Sequence, residues 1–268
     1  MTYHHLSVLV HRQAEKYGDK VALKYRDYET SQWIPITWNK FSRTVRQAAN
    51  ALVALGAEEQ RNIGIFSQNK PECLFTDFAA FANRLVTIPL YATSSSVQAQ
   101  YIINDAQIRF LFVGEQFQYD AAFSAFGFCH SLEKPIIFDR SVVRDPRDKT
   151  LSTTTSFWHW ARATPQCRCG RAYRPCIGQR PCQYSLYIRH HRRAERSDAA
   201  PLQLQRAIRI HDIRLTAMTD KDVSMNFLPL THVFEKHGLI SVFTEVCRFV
   251  SIFVRQIFRP LSRRYVLH

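Results

Sequence analysis

A chain of 268 residues, 46% hydrophobic and 22% charged, can hold one large or two ordinary domains with a substantial core. The formal net charge of +14 is unevenly placed. Residues 1–150 hold 17 basic and 15 acidic side chains, leaving 19 basic and 7 acidic for the rest, so a uniformly basic nucleic-acid-binding chain is excluded.

Met1 to Leu9 contains His4 and His5 and no long apolar run, so it does not read as a secretory signal. No stretch reaches transmembrane length without charge, and cytoplasmic placement is the default expectation. From Ile36 to Val113 the apolar period switches repeatedly between helical and strand-like spacing. Thr37 predicts an N-cap, followed by a helix with Phe41, Val45, Ala48, Ala49, Leu52 and Val53 on one face, ended by Gly56. Asn62–Ser67 predicts a strand, and Pro71 suits the first turn of a second helix carrying Leu74, Phe75, Phe78, Ala79 and Phe81. Leu85–Leu90 is apolar throughout, as a parallel strand covered on both faces must be. Ser94–Asp105 predicts a third helix with Val97, Tyr101 and Ile102 in its apolar pattern, and Ile108–Val113 a further strand. The expected class is α/β: a doubly wound, layered parallel sheet with flanking helices.

The succession TWNKF, AANALVALG, NIGIFSQNKPE, TIPLYATSS and YIINDAQIRFLFV resembles the N-terminal part of AMP-forming acyl-CoA ligases, in particular their long-chain fatty acid branch. The resemblance covers roughly residues 1–150 in order and spacing, and implies the N-terminal subdomain of the adenylate-forming fold. Such enzymes join a fatty acid to ATP, releasing pyrophosphate, and then transfer the acyl group to the thiol of CoA. Mg2+ is the expected metal, and peripheral membrane association a secondary expectation. A ligase for another carboxylic acid, aromatic or short-chain, is the alternative within the family.

Near Thr150 the composition breaks. Beyond it the only lysines are Lys221 and Lys236, arginine crowds the stretch from Arg162 to Arg214, and five of the seven cysteines occur. The spacing of Cys167, Cys169, Cys176 and Cys182 matches no paired C-x2-C zinc form, so no metal site is assigned. His190 and His191 are adjacent and poorly placed to share one helix face; they read as part of a solvated basic run. A rival from another class is a non-catalytic α/β domain with an arginine-rich nucleic-acid-binding arm, although the arm lacks interleaved aromatic platforms and no specific nucleic acid is expected.

The resemblance implies a Gly/Ser/Thr-rich nucleotide loop ending in Pro-Lys-Gly at about this distance, and the written chain has none. YIRHHRRAER, from Tyr187 to Arg196, permits TSGTTGEPK when allowed codons are read from their second base. The family loop is therefore expected to be overwritten by Ile188, Arg189, His190, His191, Arg192, Arg193, Ala194, Glu195 and Arg196, a set that is cationic but bulky and without glycine's freedom in φ. Similar readings divide the chain into a coherent 1–150, a frame-shifted 151–207, an in-frame 208–236 and a shifted tail, 237–268. Shifted text keeps no hydrophobic period selected for a fold, so the basic middle segment is expected to be irregular. The tail, with Leu239, Ile240, Val242, Phe243, Val246 and Phe249, predicts a helix by composition alone, an accidental hydrophobic tail rather than a membrane helix.

In the in-frame remnant, FLPLTHVFEK resembles a substrate-site motif. The resemblance places Thr231, His232 and Glu235 at the adenylate and acyl pocket, beside Pro229; without it, His232 reads as a structural histidine after a strand. The segment is expected to supply at most a strand and its turn. No intact catalytic set is expected, none of ATP, Mg2+ or CoA is expected to bind productively, and the family's ribose and Mg2+ carboxylates, hinge and C-terminal domain are expected beyond His268.

Overall fold

The computed structural model describes residues 6–27 and 30–148, and beyond them 152–153, 157, 183–188, 194–199, 206, 210, 223–226, 228–231, 236, 238, 240 and 252–253. Two sheets organise these residues. The larger has seven strands in the order β7 (Ser152–Thr153), β6 (Lys134–Ile137), β5 (Phe110–Val113), β3 (Asn62–Phe66), β4 (Val86–Leu90), β8 (Gln183–Ile188) and β9 (Ala194–Ala199), and the smaller three in the order β10 (Ile252–Phe253), β1 (Val21–Arg26) and β2 (Trp33–Thr37).

The centre of the large sheet is β3 (Asn62–Phe66), flanked by β4 (Val86–Leu90) on one side and β5 (Phe110–Val113) on the other, both parallel to it. β6 (Lys134–Ile137) continues the parallel ladder beyond β5, and β7 (Ser152–Thr153) lies beyond β6. Every residue of β4 and β5 is buried, because helices cover both faces. Ile63 and Ile65 of β3 and Phe110 and Phe112 of β5 join α1 (Leu6–Tyr17), α2 (Trp38–Ala54) and α3 (Pro71–Ala82) in one cluster. The alternate residues, Phe66, Leu111 and Val113, join α4 (Ser96–Asp105) and α5 (Gln116–Phe126) in the other. A two-residue alternation thus sorts one strand's side chains between two half-cores.

Local chemistry sets the helix boundaries. Thr37 caps α2, its hydroxyl accepting from the Lys40 N–H at 3.2 Å. Gly56, at φ +81°, then takes the left-handed turn that ends the helix. Pro71 stands at the start of α3, where its missing N–H costs nothing. Within α2, Trp38 and Phe41 are fully buried, and Phe41 meets Phe78 of α3 edge-on at 5.7 Å. Outside the 36–113 stretch the structure adds α1, α5, β6 and the antiparallel pair β1 (Val21–Arg26) and β2 (Trp33–Thr37).

Two expectations need correction. On α4 the buried stripe is Ala99, Ile102 and Ile103, whereas Val97 and Tyr101 are 72% and 49% exposed. The capping box of Ser95 with Gln98 starts the helix at Ser96, and residues 99, 102, 103 and 106 fall on one face at the required spacing. The irregularity expected of 151–207 does not hold for β8 (Gln183–Ile188) and β9 (Ala194–Ala199), an antiparallel pair attached to β4 through Thr87 and Gln183. Strand pairing uses backbone groups that any sequence carries, and QYSLYI alternates polar and apolar residues well enough to join a sheet. Within the same segment Phe157 is buried, 5.4 Å from Phe112 in a T-shaped contact. The in-frame remnant contributes a turn at Leu230–Thr231 but no strand among its described residues. In the tail, Gly238 and Ile240 are helical, Ile240 is buried in the first cluster, and β10 (Ile252–Phe253) pairs in parallel with β1. Trp158, Trp160, Tyr173 and Ile177, whose packing together would oppose the frameshift reading, lie outside the described residues.

Candidate functional site

The chain runs from β3 to β4 on one side and then crosses back to β5 on the other, so the connections diverge at the carboxyl ends of β3 and β5. Open α/β sheets bind ligands at this kind of divergence. Gly114, just after β5, lies so close to the end of β3 that an added Cβ would stand 2.8 Å from Ser67 Cα and 2.7 Å from Ser67 Cβ. Only a residue without a side chain permits that approach.

The β3–α3 loop, residues 67–70, crosses this edge under tight control. The Gln68 N–H donates to Glu115 Oε2 at 3.3 Å. Lys70 Nζ lies 2.9 Å from Glu115 Oε1 and 3.7 Å from Asp139 Oδ2, joining the ends of β3, β5 and β6. Burial pulls the Lys70 ammonium down, but Glu115, Glu72 and Asp139 together more than offset it, so the lysine titrates above its ordinary range. Burial pushes the Glu72 carboxyl up, although Lys70 opposes it.

Beside this loop a cleft of about 50 Å³ opens over the carboxyl ends of β3 and β4. Ile65, Ser67 and Gln68 form one wall, Cys73 and Asp77 of α3 another, Pro89 and Ala92 a third, and Pro229, Leu230, Thr231 and Lys236 close it. Lys236 Nζ donates to Asp77 Oδ1 at 2.9 Å, with side chains only 3% and 4% exposed. Gln68 Oε1 and Thr231 Oγ1 are buried without a hydrogen-bond partner among the described residues. Polar atoms in that state need a water or a ligand group, and the volume admits one. Burial pushes the Cys73 thiol up to about 12, so it is a wall and not a nucleophile at neutral pH.

The expected site residues are only partly brought together. Thr231 lines the cleft. His232 and Glu235 lie outside the described residues, as do Arg189, His190, His191, Arg192 and Arg193. Ile188 and Ala194 are partners across the β8–β9 ladder, which continues through Glu195 opposite Tyr187 and Arg196 opposite Leu186. Because β8 runs parallel to β4, it ends at the same edge of the sheet as the cleft. Five residues, Arg189 to Arg193, separate the paired ends. A phosphate-wrapping loop needs closely spaced backbone N–H groups and residues free in φ. The sequence between the paired ends, Arg189 to Arg193, supplies charge but none of the glycines that such a loop uses.

Sequence reading missed Gln68, Asn69, Asp77 and Lys236. A signal was present for one of them: Asp77 interrupts an otherwise apolar helix, CLFTDFAAFA, and a carboxylate there must find a partner.

Comparison with known proteins decides the lineage. The family AMP-binding enzyme matches residues 10–168, more than half of the chain. The chain belongs to the AMP-binding enzyme family. Long chain acyl-CoA synthetase 1 of Arabidopsis thaliana is 32% identical over 105 residues, 38% of this chain and 16% of the relative. Long-chain-fatty-acid–CoA ligase FadD15 of Mycobacterium bovis is 34% identical over 80 residues, 30% of this chain and 13% of the relative. The matched part is therefore about a sixth or less of these relatives' length. Among solved structures, the anthranilate CoA ligase AuaEII superposes with a TM-score of 0.77 at 16% identity, covering 92% of this chain and 45% of that one. A long-chain-fatty-acid-CoA ligase from Archaeoglobus fulgidus gives 0.74 at 12% identity, covering 94% and 47%. At such identities the likeness shows the shared fold. Among the described residues, no helix is long and apolar enough to cross a membrane.

Proposed function

We propose that this chain is the N-terminal part of an AMP-forming long-chain fatty acid–CoA ligase whose nucleotide loop has been overwritten by a change of reading frame, leaving it inactive as written. The supporting observation is the hairpin. β8 ends at the carboxyl edge where the cleft opens, and the nine residues from Ile188 to Arg196, which this reading puts in the place of the loop, include no glycine. The relatives' names support a long acyl chain over an aromatic or short one, since the neighbour named for anthranilate shares only the fold.

On this reading Thr231, His232 and Glu235 belong to the adenylate and acyl pocket, and the Thr231 hydroxyl, unpaired in the cleft, is available to substrate. ATP, Mg2+, fatty acid and CoA are the reactants of the intact enzyme, which would act in the cytoplasm with peripheral access to membrane lipid. Bound ATP would supply the phosphoanhydride that activates the fatty carboxylate. This chain's residues would orient the acid and exclude water, but the sequence from Ile188 to Arg196 has no glycine or lysine to hold the departing pyrophosphate in register, and a misplacement of about 1 Å can cost roughly a hundredfold in rate.

The test joins gene and enzyme. Sequencing the source DNA should show single-base losses near Thr150, between Trp160 and Cys182, near 206–210 and close to Lys236. Fatty-acid-dependent ATP–pyrophosphate exchange should be absent from the 268-residue chain and present, Mg2+-dependent and selective for long acyl chains, once the frame is restored and extended. Codons at Tyr187–Arg196 that cannot yield TSGTTGEPK in any frame would end the proposal, as would robust exchange by the unrepaired chain.

A further inference from the structure

We propose that Asn69 is a positioning residue whose side-chain amide seats the Leu228–Thr231 turn on the β3–α3 loop and so fixes Thr231 at the cleft. The seating rests on geometry alone; its consequence for catalysis rests on the ligase reading above.

Asn69 Nδ2 donates to the Leu228 carbonyl at 2.6 Å, and Asn69 Oδ1 accepts from the Leu230 N–H at 2.9 Å. One planar amide thus pairs with two alternate backbone groups, as a neighbouring strand's peptide would, across 159 and 161 residues of sequence. The chemistry selects asparagine. An aspartate carboxylate could accept from Leu230 but would face the Leu228 carbonyl lone pairs with no donor, and glutamine would overshoot by a methylene.

The clamp is pre-set from its own side. Lys70, the next residue, is held by Glu115 and Asp139, and Pro71 fixes the chain where α3 begins. Leu230, between the clamped groups and Thr231, is buried in the main core. A second anchor, Lys236 on Asp77, lies five residues beyond Thr231. The substrate-site string from Thr231 to Glu235 is therefore tied at both ends to the N-terminal sheet and helix. Both anchors border the cleft, but the Asn69 amide is spent on the Leu228 and Leu230 backbone and Lys236 on Asp77, so both act through what lies between them.

Hydrogen exchange on the 268-residue chain tests the seating. In Asn69→Ala the Leu230 amide should exchange about tenfold faster or more, the cost of one lost buried hydrogen bond, while the amides of Ile88 and Phe112 in the sheet keep their protection. In Asn69→Asp the carboxylate still accepts from Leu230 but repels the Leu228 carbonyl, so the turn should loosen and Leu230 exchange faster than in the parent at pH 7, recovering below a carboxyl pKa of about 4, where the protonated acid again donates as well as accepts. Loss of packing would give no such recovery confined to Leu230. Unchanged Leu230 exchange in Asn69→Ala, or an aspartate variant that never recovers, overturns the proposal.

In the frame-restored ligase, Asn69→Ala should lower kcat for adenylation about tenfold or more with the ATP KM within about twofold. Loss of Leu230 protection with kcat unchanged would overturn the positioning role. An inactive restored parent would overturn the ligase reading and leave the exchange experiment to decide the clamp.

Discussion

Residues 6–148 and the residues described beyond them meet in both sheets but are held in different ways. In the first region the strands sort alternate side chains into two half-cores, and α2 and α3 carry apolar stripes that match their period. In the second, attachment is by scattered points: short ladders of β7 on β6, β10 on β1 and Gln183 on Thr87, the buried side chains of Phe157, Leu230 and Ile240, the Asn69 clamp and the Asp77–Lys236 pair. A strand can be recruited by its backbone alone, whereas a core needs a period sustained over many residues.

The comparison can be broken most sharply with two aromatic truncations. Phe41→Ala, in the first region, should cost about 3–5 kcal/mol of unfolding free energy by denaturant titration. Phe157→Ala should cost about as much if the second region is seated on the first; a cost below about 1 kcal/mol would show that it is not. Next in size is the ion pair that crosses between them. Asp77→Ala should destabilise by roughly 3–5 kcal/mol, because it strands the Lys236 ammonium in the interior, and the double variant Asp77→Ala/Lys236→Met should recover much of that loss. A strictly additive double variant would mean that the two groups are not coupled.

Much of the first region was legible because its elements are local. Thr37, Gly56 and Pro71 mark helix ends by chemistry confined to a turn or two, and the apolar strand 85–90 announces burial on both faces. The cleft was not legible. Asn69 meets Leu228 and Asp77 meets Lys236 across 159 residues, and no hydrophobic period records a pairing at that distance. On α4 even the local signal misled, since Val97 and Tyr101 have the right spacing to each other but sit opposite the stripe of Ala99, Ile102 and Ile103.

Smaller effects sharpen the picture within the first region. Burial, with help from Arg46, lowers the His11 imidazole to about 4 from 6.5, so the folded chain keeps it neutral where the unfolded chain binds a proton. Its contribution to stability is full above pH 6.5 and falls as the pH drops toward 4, with a slope of at most about 1.4 kcal/mol per pH unit, then levels off. Glu72 works in the opposite sense, since an acid whose folded pKa is raised gains stability as pH falls. The difference between the parent and His11→Gln in denaturant titrations across that window isolates the histidine. Thr37→Ala should cost about 1 kcal/mol through loss of the α2 cap. Val97→Ser, on the exposed face of α4, should change stability by less than about 0.5 kcal/mol; a large loss would return Val97 to the core.

The separation between Asp77 and Lys236 also has a meaning in time. Chains leave the ribosome at roughly 5–20 residues per second and fold from the N-terminal end, so the lysine follows the aspartate by about ten to thirty seconds. α3 and the strands beside it are complete well before then. During that interval the Asp77 carboxylate sits on a largely apolar helix with its partner not yet made, and water must serve in its place. The arrival of Lys236 expels that substitute, so the cleft is closed by a stretch made long after the strands that it covers.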